Sequence, residues 1–451
     1  MKDNPFLVES LKKLLRRGAT THLHNLLLRV RPADLAEAFR SLDEPERLTA
    51  FRLLAERATK NAADLLVSLH STIITDLLGA MNSEEIARVL HRVADDDVAE
   101  ILSLCPEEER ETILSLMKRD ASKEVQDLLG YEEETAGRIM TTRFLALPDE
   151  TLVQEAISAV QRAQEAEMVF YLYVVDQEGR LEGVLSLRRL LMVSPQTTLK
   201  TIMSTDVISV RAETDQEEVA RIASRYDLLA VPVVDGQNVL AGIVTIDDVI
   251  DVMREEATED FYKLAGTSDE ERLLKSTLRS AGIRLPWLFA AFIGGLVAAL
   301  LIKGYAPLIT EAALLVCFLP VVLGMGGNIG TQAATIMVRG LSTGRISPRH
   351  VGGVIFKEIR IALLLGTIYG LLLGLAAVFL IGLDNTAGVI VGLSLLVSMA
   401  IAAVVGSMLP MLLKLVHIDP AVATSPFVTT AVDLLGLLAF FTLAGRYLVV
   451  G

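Results

Sequence analysis

Four stretches without a charged residue, 285–302, 312–338, 361–383 and 385–413, occupy most of the last third of the chain. A fifth, 420–445, is interrupted only by Asp433. A helix needs about 20 apolar residues to cross a bilayer, so residues 285–451 are expected to form five spans. Charge divides at the same point. From Leu285 onward 8 Lys and Arg stand against 5 Asp and Glu, while residues 1–284 hold the other 34 and 51. An acidic portion outside the bilayer therefore precedes an apolar portion inside it. The apolar part leaves no room for a catalytic domain, so no enzyme is expected, and the acidic balance argues against nucleic acid as a partner.

Orientation follows from the basic residues. Arg339, Arg345, Arg349 and Lys357 lie between spans two and three, Lys414 between four and five, and Lys275, Arg279 and Arg284 ahead of span one. The opposite loops carry one basic residue, Lys303, on one side and Asp384 on the other. A multi-pass protein of the plasma (inner) membrane is expected, with the N-terminus cytoplasmic and the C-terminus outside. "MKDNPFLVESLKKLL" is charged and amphipathic, unlike a cleavable signal. Cys105 and Cys317 lack CxxC spacing, so neither a disulfide nor a zinc site is suggested, and His22 and His24 lack metal-type company.

Within residues 1–131, "SLDEPERLTAFRLL", "AMNSEEIARVLHRV" and "CPEEERETILSLM" each open on a capping or acidic residue and continue with apolar positions three and four apart. These units predict short stacked helices, an all-α superhelical domain. From about 132 the texture becomes β-branched runs alternating with helices, and it repeats. "MTTRFLALPDETLVQEAI" returns as "MSTDVISVRAETDQEEVARI", and "LYVVDQEGRLEGVLSLRRLL" as "VPVVDGQNVLAGIVTIDDVI". Two α/β copies, about 138–200 and 201–256, are expected to pack on each other. The repeat resembles a tandem pair of CBS (cystathionine-β-synthase-type) domains, which bind adenosine nucleotides between the copies. The resemblance implies ATP or another adenosine nucleotide as a ligand, with Arg188, Thr245 and Asp248 as its contacts. The first copy departs from the pattern: it keeps Ser186 but has Arg189 where the acid would stand.

The order of acidic helical domain (1–131), CBS pair (132–256), charged linker helix (257–284) and five spans (285–451) resembles the MgtE family of magnesium channels over essentially the whole chain. "EETAGRIMT" at 133–141, "PVVLGMGGNIGTQAAT" at 320–335 and "TSPFVTTAVDLLGL" around Asp433 are its most specific pieces. The resemblance implies a homodimer without an obligatory further protein partner, with Mg²⁺ as both cargo and regulator.

An ionisable group deep in a span is expensive and marks an ion path, and Asp433 is the acid expected inside one. Gly324, Gly326, Gly327 and Gly330 are expected to permit a kinked backbone whose carbonyls approach that path. Close helix packing through small residues is the other reading, and the two are compatible. Gly327, Asn328, Thr331, Gln332, Thr335, Ser425 and Thr429 are the expected companions of Asp433. Mg²⁺ sheds water reluctantly, so one carboxylate among amides and hydroxyls suits it, although Co²⁺, Ni²⁺ and Mn²⁺ remain open as passengers.

Acids concentrate between the repeat and the membrane: Asp247, Asp248, Asp251, Glu255, Glu256, Glu259 and Asp260. The bland reading of such a run is a solvated face. The family resemblance makes these residues, with Asp95, Asp96, Asp97, Asp227 and Asp419, regulatory Mg²⁺ ligands whose bridging closes the pore. A CBS-bearing anion channel would want basic pore groups. A proton- or sodium-coupled divalent-cation transporter would call for further ionisable groups within the spans.

Overall fold

A computed structural model describes the chain except for residues 1–4, 164–169, 269–270, 272–276, 312, 347–350, 417, 424–425 and 451. It forms two compact units, Met1–Met253 and Arg254–Gly451.

The first unit begins with ten short helices from Pro5 to Leu129, each resting largely on the next but one, which produces the expected superhelical stack. Local chemistry sets several starts. Asp43 and Asn82 each accept the amide of the residue three positions on, at 2.9 and 2.8 Å, while Glu46 and Glu85 reach back to the cap amide. These reciprocal bonds satisfy donors that a helix leaves free at its first turn.

Two three-stranded sheets follow and have the same build. β1 (Ala146–Pro148) runs parallel to β2 (Tyr171–Val175), which is antiparallel to β3 (Leu181–Ser186). β4 (Val210–Arg211), β5 (Ala230–Val234) and β6 (Leu240–Thr245) repeat that order, with the register irregularity at the equivalent place. Both hairpins turn on an aspartate. Asp176 accepts the amides of Glu178 and Arg180, and Asp235 those of Gln237 and Val239.

The copies interlock reciprocally. Thr141, at the head of copy one, exchanges backbone hydrogen bonds with Ile243 of copy two, and Ser204, at the head of copy two, does so with Val184 of copy one. Met140 lies over Gly242 and Met203 over Gly183, where a Cβ would meet the thioether sulfur at 2.7 and 2.6 Å. The helical stack shares one apolar core with the second copy, through Met140, Val210, Val231, Val244 and Val249 among others, whereas the first copy has its own.

"EETAGRIMT" makes the joint within this unit. Ala136 and Gly137 donate to the carbonyls of Thr214 and Ala212 at 2.7 and 2.8 Å, and the Tyr131 ring lies over Gly137. The Arg138 guanidinium donates to the carbonyl of Ala99 at 3.2 Å, on the helix that carries Asp95, Asp96 and Asp97.

The expected linker helix at 257–284 is described only in part. Helix Ile246–Leu264 continues out of the second copy, the chain turns at Gly266 (φ +74°), and the next long helix starts at Thr277. Residues 269–270 and 272–276 between them lie outside the described residues.

In the second unit five helices have the length and apolar character to cross a membrane: Thr277–Gly304, Ala313–Ser342, Val351–Phe379, Asn385–Leu415 and Pro426–Arg446. Span four is central and packs on spans two, three and five, and span one packs on span five. Glycines permit these approaches. A Cβ on Gly370 would stand 2.6 Å from the Gly392 carbonyl oxygen, and one on Gly374 2.7 Å from that of Gly388.

Gly242→Ala should therefore destabilise the paired α/β copies by about 1–3 kcal/mol, the usual cost of overpacking, because backbone at Thr141 as well as Met140 stands in the way. Gly236→Ala faces open space and should leave the melting temperature of the detergent-solubilised protein unchanged. Thermal unfolding of the two variants side by side checks the interlock.

Candidate ion path and acidic clusters

The glycine-rich turn does not break its helix. Leu319–Ser342 is a single α-helix through "GMGGNIG", so the expected kink and its freed carbonyls are absent. Two neighbouring helices supply the reason. A Cβ on Gly326 would stand 2.8 Å from the Ser398 hydroxyl, and one on Gly330 2.9 Å from Val432. A Cβ on Gly406 would stand 2.2 Å from the Gly330 carbonyl oxygen. Each glycine costs about 1 kcal/mol of helix propensity, but close backbone approach offsets that within a bilayer, and the helix keeps its own hydrogen bonds.

The side chains sort by face. Gly326 and Gly330 are buried in the packing, whereas Asn328, Thr331, Gln332 and Thr335 are exposed on the single chain. Their spacing, i, i+3, i+4 and i+7, places them in one polar stripe along span two. Gly327 has room: a Cβ there would meet nothing nearer than the Thr429 methyl at 4.0 Å.

Asp433 is half-buried on span five and lines a cavity of about 360 Å³ with Thr429, Thr430, Trp287 and Gly294. Among the described residues no cation pairs with it. Gly327 faces Thr429 across open space; Asn328, Thr331, Gln332 and Thr335 make no described contact with Asp433, and Ser425 lies outside the described residues. One buried acid on a candidate span escaped the sequence reading. Glu358 is buried in helix Val351–Phe379, because that helix begins ten residues before the uncharged run at 361–383.

The acids expected to be regulatory divide into two groups. In the first unit, Asp95 is buried and paired with Arg143 at 3.0 Å. Asp248 is pushed up to about 7, chiefly by burial, with Asp96 and Asp247 adding repulsion that a hydrogen bond from Thr245 offsets only in part. Burial likewise raises Glu100, and Asp248 and Asp251 raise it further while Arg138 counteracts. Asp96, Glu100, Asp248 and Asp251 thus form one field of mutually repelling carboxylates where the helical stack meets the second CBS copy. Glu100 was not foreseen: it lies one turn beyond the Asp95–Asp97 run and has no local signature. Asp97 lies in the first turn of the same helix, while Asp227 is an exposed left-handed helix cap (φ +53°) and Glu255 is exposed.

In the second unit Glu259, Asp260 and Asp419 surround Lys263. The ammonium pairs with Glu259 and lies 2.6 Å from Asp419. Burial raises Asp260, as does Asp419, against a hydrogen bond with Ser342 and the charges of Lys263 and Arg339. Among the described residues no three acidic, imidazole or thiol groups converge at metal-ligating distance. These are electrostatic fields, not formed coordination cages. Of the expected nucleotide contacts, Thr245 and Asp248 are bonded to each other, whereas Arg188 is exposed on the other copy and Ser186 caps its own helix by accepting the Arg189 amide.

Comparison with known proteins gives family matches in the helical stack, in both α/β copies and from span two onward. The MgtE divalent cation transporter family matches residues 319–443, the MgtE intracellular N domain 30–134, and the CBS domain 136–195 and 199–255. A "Magnesium transporter MgtE" of Enterococcus faecalis is 39% identical over 72% of this chain and 72% of its own. That of Thermus thermophilus is 40% identical over 71% and 72%. Among solved structures, the soluble part of a magnesium transporter is 34% identical, with a TM-score of 0.50 over 56% of this chain and 99% of its own. The cytosolic domain of the Mg²⁺ channel MgtE in complex with ATP is 36% identical, with a TM-score of 0.52 over 54% and 99%.

The raised Asp248 has a checkable consequence. Between the ordinary aspartate value near 4 and about 7, the folded state binds a proton that the unfolded state releases, so stability falls as pH rises through that window and is level above it. Asp248→Asn should remove that slope and stabilise the Mg²⁺-free protein at pH 8, by at most roughly 4 kcal/mol. Melting temperature against pH for both proteins decides it.

Proposed function

The chain belongs to the MgtE family of magnesium transporters, and on that premise we propose that it is a homodimeric Mg²⁺ channel for uptake, shut by cytosolic Mg²⁺. The observation that carries the conduction half is Asp433, a carboxylate without a described cation partner on a cavity within the spans. A hydrated divalent ion suits such a site, since one carboxylate supplies charge while threonine hydroxyls bond to the water shell. The exposed stripe of Asn328, Thr331, Gln332 and Thr335 supports pairing of two copies. Bare amides facing lipid are costly, and a second chain with the same stripe would cover them and enclose a polar path.

The gating half rests on the carboxylate field of Asp96, Glu100, Asp248 and Asp251. Their charges repel in a partly buried setting, and Mg²⁺ would replace that repulsion with bridged contacts. Without the ion the joint loosens, and with it the joint closes, a two-state element biased by ligand. The N-terminal units then face the cytoplasm, in keeping with the basic loops. The ATP complex of the related cytosolic domain supports an adenosine nucleotide at the CBS pair of this chain as well, with Thr245 and Asp248 on one side.

Coupled transport is the second reading, and Glu358 favours it, being a further buried acid within a span. Liposome flux separates the two: a channel carries Mg²⁺ at a rate that imposed proton or sodium gradients leave unchanged, whereas a coupled carrier follows them. Asp433→Ala should lower Mg²⁺ flux at least a hundredfold and Asp433→Asn should weaken selection for divalent over monovalent cations. Asn328→Ala should lower flux without lowering thermal stability. Full rescue of Mg²⁺-dependent growth by Asp433→Ala would remove that residue from the path.

A further inference from the structure

Span three has two unlike faces. Glu358, Ala362, Gly366, Gly370 and Ala377 are buried, each one or two turns from the next, so they share one side of helix Val351–Phe379. On the opposite side Lys357 and Arg360 stand one turn apart, and Leu364, Ile368, Leu371 and Leu375 continue their line, all of them exposed. Arg360 and Phe379 are nineteen residues apart on this helix, which is about 29 Å at 1.5 Å per residue. That length matches the roughly 30 Å of hydrocarbon in a bilayer, and the next charge in the chain, Asp384, lies beyond the far end. Lys357 and Arg360 therefore reach the headgroup level of one leaflet, and the apolar column beyond them faces acyl chains. Among the described residues neither cation pairs with a carboxylate. The Arg360 guanidinium lies over the Phe356 ring, 5.7 Å from its centre, a contact that orients the charge without neutralising it.

We propose that Lys357 and Arg360 hold the headgroup of one anionic phospholipid per chain, whose acyl chain lies along Leu364, Ile368, Leu371 and Leu375. Residues three apart on a helix stand about 5–6 Å from each other at Cβ, so one phosphate can meet both cations. Basic side chains at the membrane surface attract negative headgroups in general; here the same helix face also supplies the surface for the tail. The headgroup must be net negative, because a zwitterionic lipid brings an ammonium of its own that two unneutralised cations repel. A phosphate without an amine, as in phosphatidylglycerol, suits the pair. A second copy of the chain does not suit this face. A symmetric contact would set Lys357 and Arg360 against their own copies, and the one acid beside them in the sequence, Glu358, is buried on the other side. Arg345 is exposed near the same end of the spans, but it lies past the end of helix Leu319–Ser342 and off the column.

Native mass spectrometry of the full-length protein in a neutral detergent, titrated with phosphatidylglycerol, tests the site. The wild type should retain one such lipid per chain, and Lys357→Gln with Arg360→Gln should weaken its binding at least tenfold. Arg345→Gln, which removes a cation off the column, should leave it unchanged, as should Lys357→Arg with Arg360→Lys, which keeps both charges. Arg360→Gln alone should weaken it at least threefold, and decides the matter where the double variant does not fold. Phosphatidylcholine should bind weakly and equally to all of them. Equal phosphatidylglycerol affinity in the wild type and the neutral variants, or an equal loss in Arg345→Gln, would overturn the site. Phosphatidylcholine held as tightly as phosphatidylglycerol would overturn the charge selection. Soluble glycerol phosphate displacing the lipid at equal concentration would make the ligand an anion and not a lipid. An oligomer that dissociates in the neutral variants would give the face to a second copy and overturn the proposal.

Discussion

Carboxylates forced together where water is scarce are the constraint on which the first unit depends. Asp248 sits close enough to Asp96 and Asp247, and deep enough, to hold a proton near neutral pH. Such an arrangement is costly unless something offsets it. Arginines do so in part: Arg143 meets Asp95, and Arg138 stands near Glu100. The remaining repulsion is left at the joint between the helical stack and the second CBS copy, which otherwise share one apolar core. In the proposed reading, a divalent ion that bridges these carboxylates would bias such a joint toward its closed arrangement.

The membrane part works by the opposite device. Its packing is dense because glycines let backbones meet, as at Gly330 and Gly406 or Gly370 and Gly392. Ser398 illustrates the tightness: its hydroxyl is buried between Gly326 and Gly436 without a hydrogen-bond partner among the described residues. Asn328, Thr331, Gln332 and Thr335 stay off this seam, on the exposed stripe of span two, and Asp433 lines its own cavity.

Much of this is legible in the sequence, for reasons that differ by element. The five spans follow from composition alone, and the doubled CBS unit follows from a repeat that keeps even its aspartate turns. Capped helices announce themselves by spacing of a few residues. What stays hidden depends on long-range contact. The glycine cluster reads as a break, and only the neighbours of Gly326 and Gly330 make a straight helix the better solution. Glu358 is buried because its helix starts earlier than the uncharged run does. Glu100 and Lys263 look like ordinary surface charges, and what sets them apart is a partner about 150 residues away in each case, Asp248 and Asp419.

The central claim is that Mg²⁺ shuts the path by bridging the carboxylates between the helical stack and the second CBS copy. Open probability in inside-out patches, recorded as Mg²⁺ is raised on the cytoplasmic face, tests it most directly. The wild-type channel should close steeply, and Glu100→Gln with Asp248→Asn should stay open at concentrations at least tenfold higher. Closure of that double variant at the wild-type concentration would mean that these acids are merely tolerated neighbours and that the ion acts elsewhere.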